Sequence, residues 1–440
     1  MDILIKALQF FLSLSILVII HELGHFLFAR LFGIRVEKFY LFFNPGFSLF
    51  KFRHGETTYG MGWLPLGGYV KIAGMIDESM DKEQMKKPPK PYEFRSKPAW
   101  QRLIVMVGGV FFNVVLAALI YVFMLYSTGD EYLPVENLEY GIVAEELGRE
   151  IGLETGDHIL AVNGDDPGDW MSLMRSFARG EANSVTVLRN DEEITLNVPE
   201  GFYGKLIAAR GGDFISIRFP FIVVGFLPDS PAEKAGVEVG DHIRGVGDQE
   251  TWSFVEFAQT IGDYAGQETT LTIEREGEIK TLDITIPEQA RVGAYRKDPF
   301  EMLNTKTKDY SLLSAIPAGI NRAYTTTRDY FRDLGLLFRP EVSARDSLGG
   351  FITIGGIFSP TWNWLHFWTM TAFLSIILAV MNILPIPALD GGHVMFLFYE
   401  IIAGKKPPEK FMEYAQMVGM LLLLTLILLV NLNDILRLFR

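Results

Sequence analysis

The chain has 440 residues, 49% of them hydrophobic, a formal net charge of −13 and no cysteine. The missing thiols exclude disulfides and thiolate metal sites, and the acidic balance argues against nucleic acid as a partner. The apolar residues cluster in four windows, roughly 4–32, 100–126, 365–386 and 411–431. Each reaches the ~20 residues that a helix needs to cross a hydrocarbon core, which predicts an α-helical polytopic membrane protein with four transmembrane helices.

The first helix, within 1–33, is too long in its apolar run for a signal peptide and lacks a small-residue cleavage site. It contains His21-Glu22-Leu23-Gly24-His25. On a helix, positions i and i+4 share a face, so both imidazoles can bind one zinc while Glu22 acts as general base. Ionisable groups within a membrane are costly and mark functional sites by default. A polar seam between helices is the blander reading of the same residues.

Residues 34–98 hold "GIRVEKFYLFFNPGFSLFKF" and "TTYGMGWLPLGGYVKIAG", rich in aromatic, β-branched and glycine residues. They predict short strands and turns in a stretch too apolar for a simple solvated loop. Its basic residues, from Arg35 and Lys38 through Lys82, Lys86 and Lys87 to Lys97, together with Lys405, Lys406 and Lys410 before the last helix, place both loops in the cytoplasm. The N-terminus, the long segment 127–364 and the C-terminus then lie on the other face. The second helix, 99–126, carries Asn113 after Gly108-Gly109. The glycines suggest close helix packing, and Asn113 is expected to serve that packing.

The long segment repeats itself: "GLETGDHILAVNGDD" from Gly152 matches "GVEVGDHIRGVGDQE" from Gly236, an offset of 84 residues. Glycine suits the cap that ends a helix and Gly-Asp the tight turn before a strand. His158 and His242 fall at equivalent places and read as turn partners. Each copy resembles a PDZ domain, giving two extracytoplasmic PDZ-like α+β domains at 127–203 and 204–290. That resemblance implies strand addition of a peptide at an exposed sheet edge; folded spacers are the alternative. Within 291–364, Leu312, Leu313, Ile316, Ile320 and Tyr324 predict an amphipathic helix over 310–338 at the extracytoplasmic interface. Trp362, Trp364 and Trp368 then form an aromatic belt.

The third helix, 365–393, ends "MNILPIPALDGGH". A catalytic zinc has three protein ligands and an open fourth position, so His21 and His25 need one more. Asp390 and His393 are equally open to that role, and Pro385 and Pro387 break the helix before them. Asn382 is an amide in an apolar run and needs partners. Residues 394–440 give a loop and the fourth helix.

"HELGH", "NILPIPALDGG" and the PDZ-like copies between them resemble the site-2 protease family of intramembrane zinc metalloproteases, in its regulator of sigma-E protease group. The resemblance spans essentially the whole chain. It implies Zn2+ held by His21, His25 and Asp390, with Glu22 as base and Asn382 on the substrate backbone. It implies a membrane-associated β-loop whose Gly68, Tyr69, Val70 and Lys71 bind substrate. By the same resemblance the substrate is a single-pass membrane protein of anti-sigma-factor type, or a remnant signal peptide, first cut by a site-1-type protease. The location is the bacterial inner membrane, with the PDZ-like domains periplasmic and the site reached from the cytoplasmic side. Two positions depart from the family: Phe42-Phe43-Asn44-Pro45 replaces a Gly-x-Gly-Pro turn, and Phe351 replaces a proline. The rival reading is a PDZ-based membrane scaffold with a structural metal. Such a site is normally closed by four protein ligands, and the sequence offers three. No inverted repeat supports a transporter.

Overall fold

A computed structural model describes residues 2–65, 67–75, 88–209, 213–298, 302–337 and 349–437. Lys82, Lys86 and Lys87 lie outside these. The chain forms two compact units, one from Asp130–Lys308 and the other from the segments on either side of it.

The N-terminal segment opens with α1 (Asp2–Leu31), followed by β1 (Val36–Leu41), β2 (Phe50–His54), β3 (Thr57–Met61) and β4 (Tyr69–Ile72). The strands form one sheet in the order β2-β3-β1-β4, with β4 antiparallel to β1 on the outer edge. The turn after β1 is the one that departs from the family. Phe42 adopts φ 67°, a left-handed conformation that glycine takes without strain. Its surroundings hold it there: Phe43 and Leu64 exchange backbone hydrogen bonds of 3.1 Å, and Phe43, Tyr69 and Tyr40 stack at 6.0 and 5.3 Å. The Tyr69 hydroxyl also donates to Asn44 Oδ1 at 2.9 Å. Helix α2 (Ala99–Thr128) then crosses α1 closely, as its glycines suggest. A Cβ on Gly24 would stand 2.2 Å from the Gly108 carbonyl oxygen.

The second unit begins with β5 (Asp130–Tyr132) and then runs through β6 (Ile142–Ala144), α3 (Glu146–Glu150), β7 (His158–Val162), α4 (Trp170–Ala178), the hairpin β8 (Ser184–Arg189) and β9 (Glu192–Asn197), α5 (Phe202–Ala208) and β10 (Ile215–Ile217). The second copy follows a similar course with β11 (Val223–Phe226), α6 (Pro231–Lys234), β12 (His242–Val246), the added short β13 (Gln249–Glu250), α7 (Phe254–Thr260), the hairpin β14 (Glu268–Arg275) and β15 (Glu278–Thr285), and β16 (Ala294–Arg296). In each copy the last strand returns to pair antiparallel with the first, β10 with β6 and β16 with β11. β17 (Lys306–Lys308) pairs with β5.

The expected boundary at 203/204 therefore falls inside α5. Phe202, Leu206, Phe214 and Ile215 belong to the first core, and the second core begins at Phe221. The closing strands have too little in common to register in a self-comparison. The turn histidines also differ from expectation. They start strands, and the turns are held by a buried aspartate and an arginine that the repeat does not reveal. Arg189 donates to both Asp157 carboxylate oxygens at 2.7 and 2.8 Å, to Glu154 at 2.7 Å and to the Gly152 carbonyl at 2.8 Å. Arg275 makes the same four bonds to Asp241, Glu238 and Gly236, at 2.7 to 2.8 Å. Gly152, Glu154 and Asp157 are three of the repeated positions, so the shared motif is one half of a guanidinium clamp.

The chain then returns to the membrane unit with α8 (Leu312–Leu336), α9 (Phe351–Gly356), α10 (Trp364–Ile383), α11 (Asp390–Ala403) and α12 (Glu409–Arg437). Among the described residues four helices are long and apolar enough to span a membrane: Ile3–Leu31, Ala99–Thr128, Trp364–Ile383 and Lys410–Leu436. One expectation is corrected: residues 365–393 are not one helix, since α10 stops at Ile383 and α11 starts afresh at Asp390 in what was read as the foot of the third helix and a loop. The helix expected over 310–338 is α8, and it also packs against α2. Its small residues Ala315, Gly319 and Ala323 are buried, with Gly319 so close to α2 that a Cβ would stand 2.5 Å from the Val122 amide. Small side chains let helix backbones approach, while Leu313 and Ile320 remain exposed.

The last helix is tethered at its far end. Asp434 accepts from the Thr353 amide and hydroxyl at 2.9 and 2.7 Å, and Asn431 Oδ1 accepts from the Phe351 amide at 3.1 Å. Proline at 351 has no amide hydrogen to give, so this departure from the family comes with a bond that the family residue cannot make.

Candidate active site

Helix α1 presents His21 and His25 one turn apart on the face that meets α2. Three positions of α2, each one turn from the next, receive them. The Val105 carbonyl accepts from His25 Nδ1 at 2.8 Å. Gly109 makes room: a Cβ there would stand 2.5 Å from His25 Nε2 and 2.6 Å from His21 Cε1. Asn113, wholly buried, places its side-chain amide 3.1 Å from His21 Nδ1. Asn113 was expected to serve packing, although its position is similar to one in the family, and its contact with His21 is what the sequence reading missed. The signal was its spacing, four residues beyond Gly109 on the same face.

The third group arrives by a reversal of the chain. Pro385 and Pro387 end helical pairing, Ala388 takes φ 80°, and Gly391 lies so close to the end of α10 that a Cβ would stand 2.0 Å from the Leu384 carbonyl oxygen. That compact reversal sets Asp390 in the first turn of α11, where the helix dipole favours a carboxylate. Asp390 Oδ2 stands 3.1 Å from His21 Nε2 and 3.3 Å from His25 Nε2, and the two nitrogens are 3.2 Å apart. His393, the other candidate, pairs with Gln416 at 2.6 Å.

These groups line a cavity of about 720 Å³ that also takes in Glu22, Gly68, Tyr69, Val70, Lys71 and His393. The strand edge β4 thus forms one wall opposite the histidines. Gly68 permits that closeness, since a Cβ there would stand 2.6 Å from Val18 and 3.4 Å from Glu22 Cγ. Asn382 sits on the last turn of α10, half-buried, and is not among the residues lining this cavity.

Residues 9–426 match the model of peptidase family M50. The chain belongs to that family. Among its relatives, the regulator of sigma E protease of Haemophilus influenzae is 28% identical and the regulator of sigma-E protease RseP of Escherichia coli 27% identical, each alignment covering 98% of both chains. A Neisseria meningitidis protein that bears a zinc-metalloprotease name is 28% identical over 98% of this chain and 99% of its own. This M50 peptidase is therefore a zinc-dependent protease of the site-2 type.

The donor set fits zinc. Tetrahedral zinc with bonds of ~2.0–2.1 Å to nitrogen and oxygen has ligand atoms ~3.3 Å apart, close to the triangle seen here. A carbonyl can only accept, so His25 carries its proton on Nδ1 and, as a neutral ring, turns the Nε2 lone pair toward the same point. Asp390 Oδ2 is buried, and the polar atoms it faces are the Nε2 atoms of His21 and His25. Lone pairs crowded onto one spot repel unless a cation joins them.

Proposed function

We propose that this M50 peptidase cuts single-pass membrane proteins within or beside their transmembrane segment, at a zinc held by His21, His25 and Asp390. The observation that carries the reading is the triangle of those three donors in one cavity with Glu22 and the edge strand β4. When bound there, zinc supplies a Lewis acid that polarises the scissile carbonyl and acidifies the attacking water. Glu22 takes the proton from that water and delivers it to the leaving amine. Strand β4 pairs with the substrate backbone: a transmembrane helix satisfies its own peptide groups, so a cut requires local unwinding, and an unwound stretch needs new partners for those groups. Gly68 to Lys71 supply them.

Three protein ligands leave a fourth position for water, which a closed structural site lacks. This favours the enzyme over a scaffold. The sigma-E names of two relatives support a substrate of the anti-sigma-factor type in a bacterial inner membrane, trimmed first by another protease. The repeated unit at 130–308 supports a tandem PDZ-like filter that keeps untrimmed substrates out, on the periplasmic side if the basic loops are cytoplasmic.

The test is cleavage of a reconstituted, tagged transmembrane substrate by wild type and Glu22→Gln, with zinc measured in both. The expected result is equal zinc and a fall in cleavage of at least about 10²–10⁴-fold for the variant. Equal zinc with equal cleavage overturns the role of Glu22.

A further inference from the structure

A neutral imidazole has one lone pair, and which nitrogen carries it depends on what the other nitrogen meets. For His25 the backbone decides, since the Val105 carbonyl facing Nδ1 only accepts. Among the described residues no carbonyl does this for His21. Its Nδ1 faces the side-chain amide nitrogen of Asn113, Nδ2, at 3.1 Å. Asn113 is wholly buried, and its Oδ1 has no hydrogen-bond partner. Its own carbonyl accepts from Ser375 Oγ at 2.8 Å, which fixes this turn of α2 against α10.

A half-turn of an amide exchanges its oxygen and nitrogen without changing its shape. With the nitrogen toward His21, the ring keeps its proton on Nε2 and has no lone pair for a metal. With the oxygen toward His21, Nδ1 holds the proton and Nε2 is free. We propose that Asn113 is a positioning residue whose Oδ1 accepts the His21 Nδ1–H, fixing the tautomer and ring angle in which Nε2 faces the metal. Asn113 then does for His21 what the Val105 carbonyl does for His25. The inference rests on the reading of His21 as a zinc ligand.

Partners of this kind are worth about 10–100-fold in metal affinity. Asn113→Leu removes the acceptor at similar volume, and in the metal-free protein the His21 proton can move to Nε2, which faces Asp390 Oδ2 at 3.1 Å, so the change costs the fold little. Asn113→Asp keeps an acceptor oxygen. The experiment titrates full-length protein in detergent with buffered free zinc, comparing wild type, both variants and His21→Ala, and records the melting midpoint of each metal-free form.

The expected result is zinc bound about 10–100-fold more weakly by Asn113→Leu, with its metal-free midpoint at the wild-type value, and near-wild-type affinity for Asn113→Asp. If the leucine variant does not accumulate, Asn113→Ala replaces it with the same expectation. Wild-type affinity in the leucine variant, equal weakening in both variants, or a fall in affinity matched by a fall in the metal-free midpoint overturns the inference. His21→Ala separates the two levels: if it also binds zinc like wild type, the ligand assignment fails, and if it alone weakens, only the role of Asn113 fails.

Discussion

At the scale of single residues, the site depends on what is missing as much as on what is present. Gly109 is the clearest case, because both histidine rings occupy the space that a side chain there would fill. Gly109→Ala adds one carbon with nowhere to go except into the rings or the helix crossing. It is expected to weaken zinc binding by more than about tenfold, read as zinc retained per chain after dialysis against a chelator. The alanine variant keeping full zinc would show that the rings can move aside. The motif residues were legible in the sequence because i and i+4 spacing is fixed by the helix itself. The residues of α2 that receive them were not, because nothing local says which of its faces meets α1.

At the scale of elements, the departures from helical or strand continuity carry the design. The prolines after α10 and the close approach at Gly391 turn a would-be long helix into a reversal that sets Asp390 beside the histidines. The edge strand β4 is placed by Gly68, which touches Val18 and approaches Glu22 on α1. Gly68→Ala is expected to push β4 outward and lower cleavage by on the order of 10²-fold, the usual result of displacing a reacting group by about 1 Å. Zinc content should not change, since no donor atom is involved. Loss of zinc together with activity would instead place Gly68 in the support of α1. The prolines announced a break, but where the chain resumed its helix depended on contacts between α10 and α11 that no local pattern contains.

At the scale of the whole molecule, the two units answer to different chemistry, and the second carries a pH dependence of its own. Burial holds His242 below the ordinary histidine value, against the pull of its bond to the Trp252 carbonyl at 2.7 Å, and Arg244 adds to the depression. The unfolded chain then binds a proton at about pH 6.5 that the folded unit refuses, so stability declines as pH falls through that value. Asp241 works in the same direction at lower pH: burial opposes its ionisation, but Arg275 and the Glu238 amide hold it below the usual carboxylate range. Between pH 7.5 and 5.5 the urea midpoint of this unit should fall, and His242→Gln should flatten that fall. A slope unchanged in the variant would remove His242 as its source. Deleting 130–308 should leave cleavage of a trimmed substrate intact and admit an untrimmed one. Continued refusal of the untrimmed substrate would end the filter reading.

The sequence by itself determined the membrane helices, the zinc motif, the repeat and the strand character of the 34–98 loop, because hydropathy, helical spacing and turn chemistry act over a few residues at a time. Residue chemistry left Asp390 and His393 equally open and the family motif pointed to Asp390, but it is the tertiary structure that sets Asp390 beside the histidines, since both stand within one helical turn and differ in which way they face. The same holds for the arginine that completes each repeated turn, the small-residue face by which α8 meets α2, and Asn113. Each is a contact between segments far apart in the chain, and the energy of such contacts depends on shapes that exist only once the helices have packed.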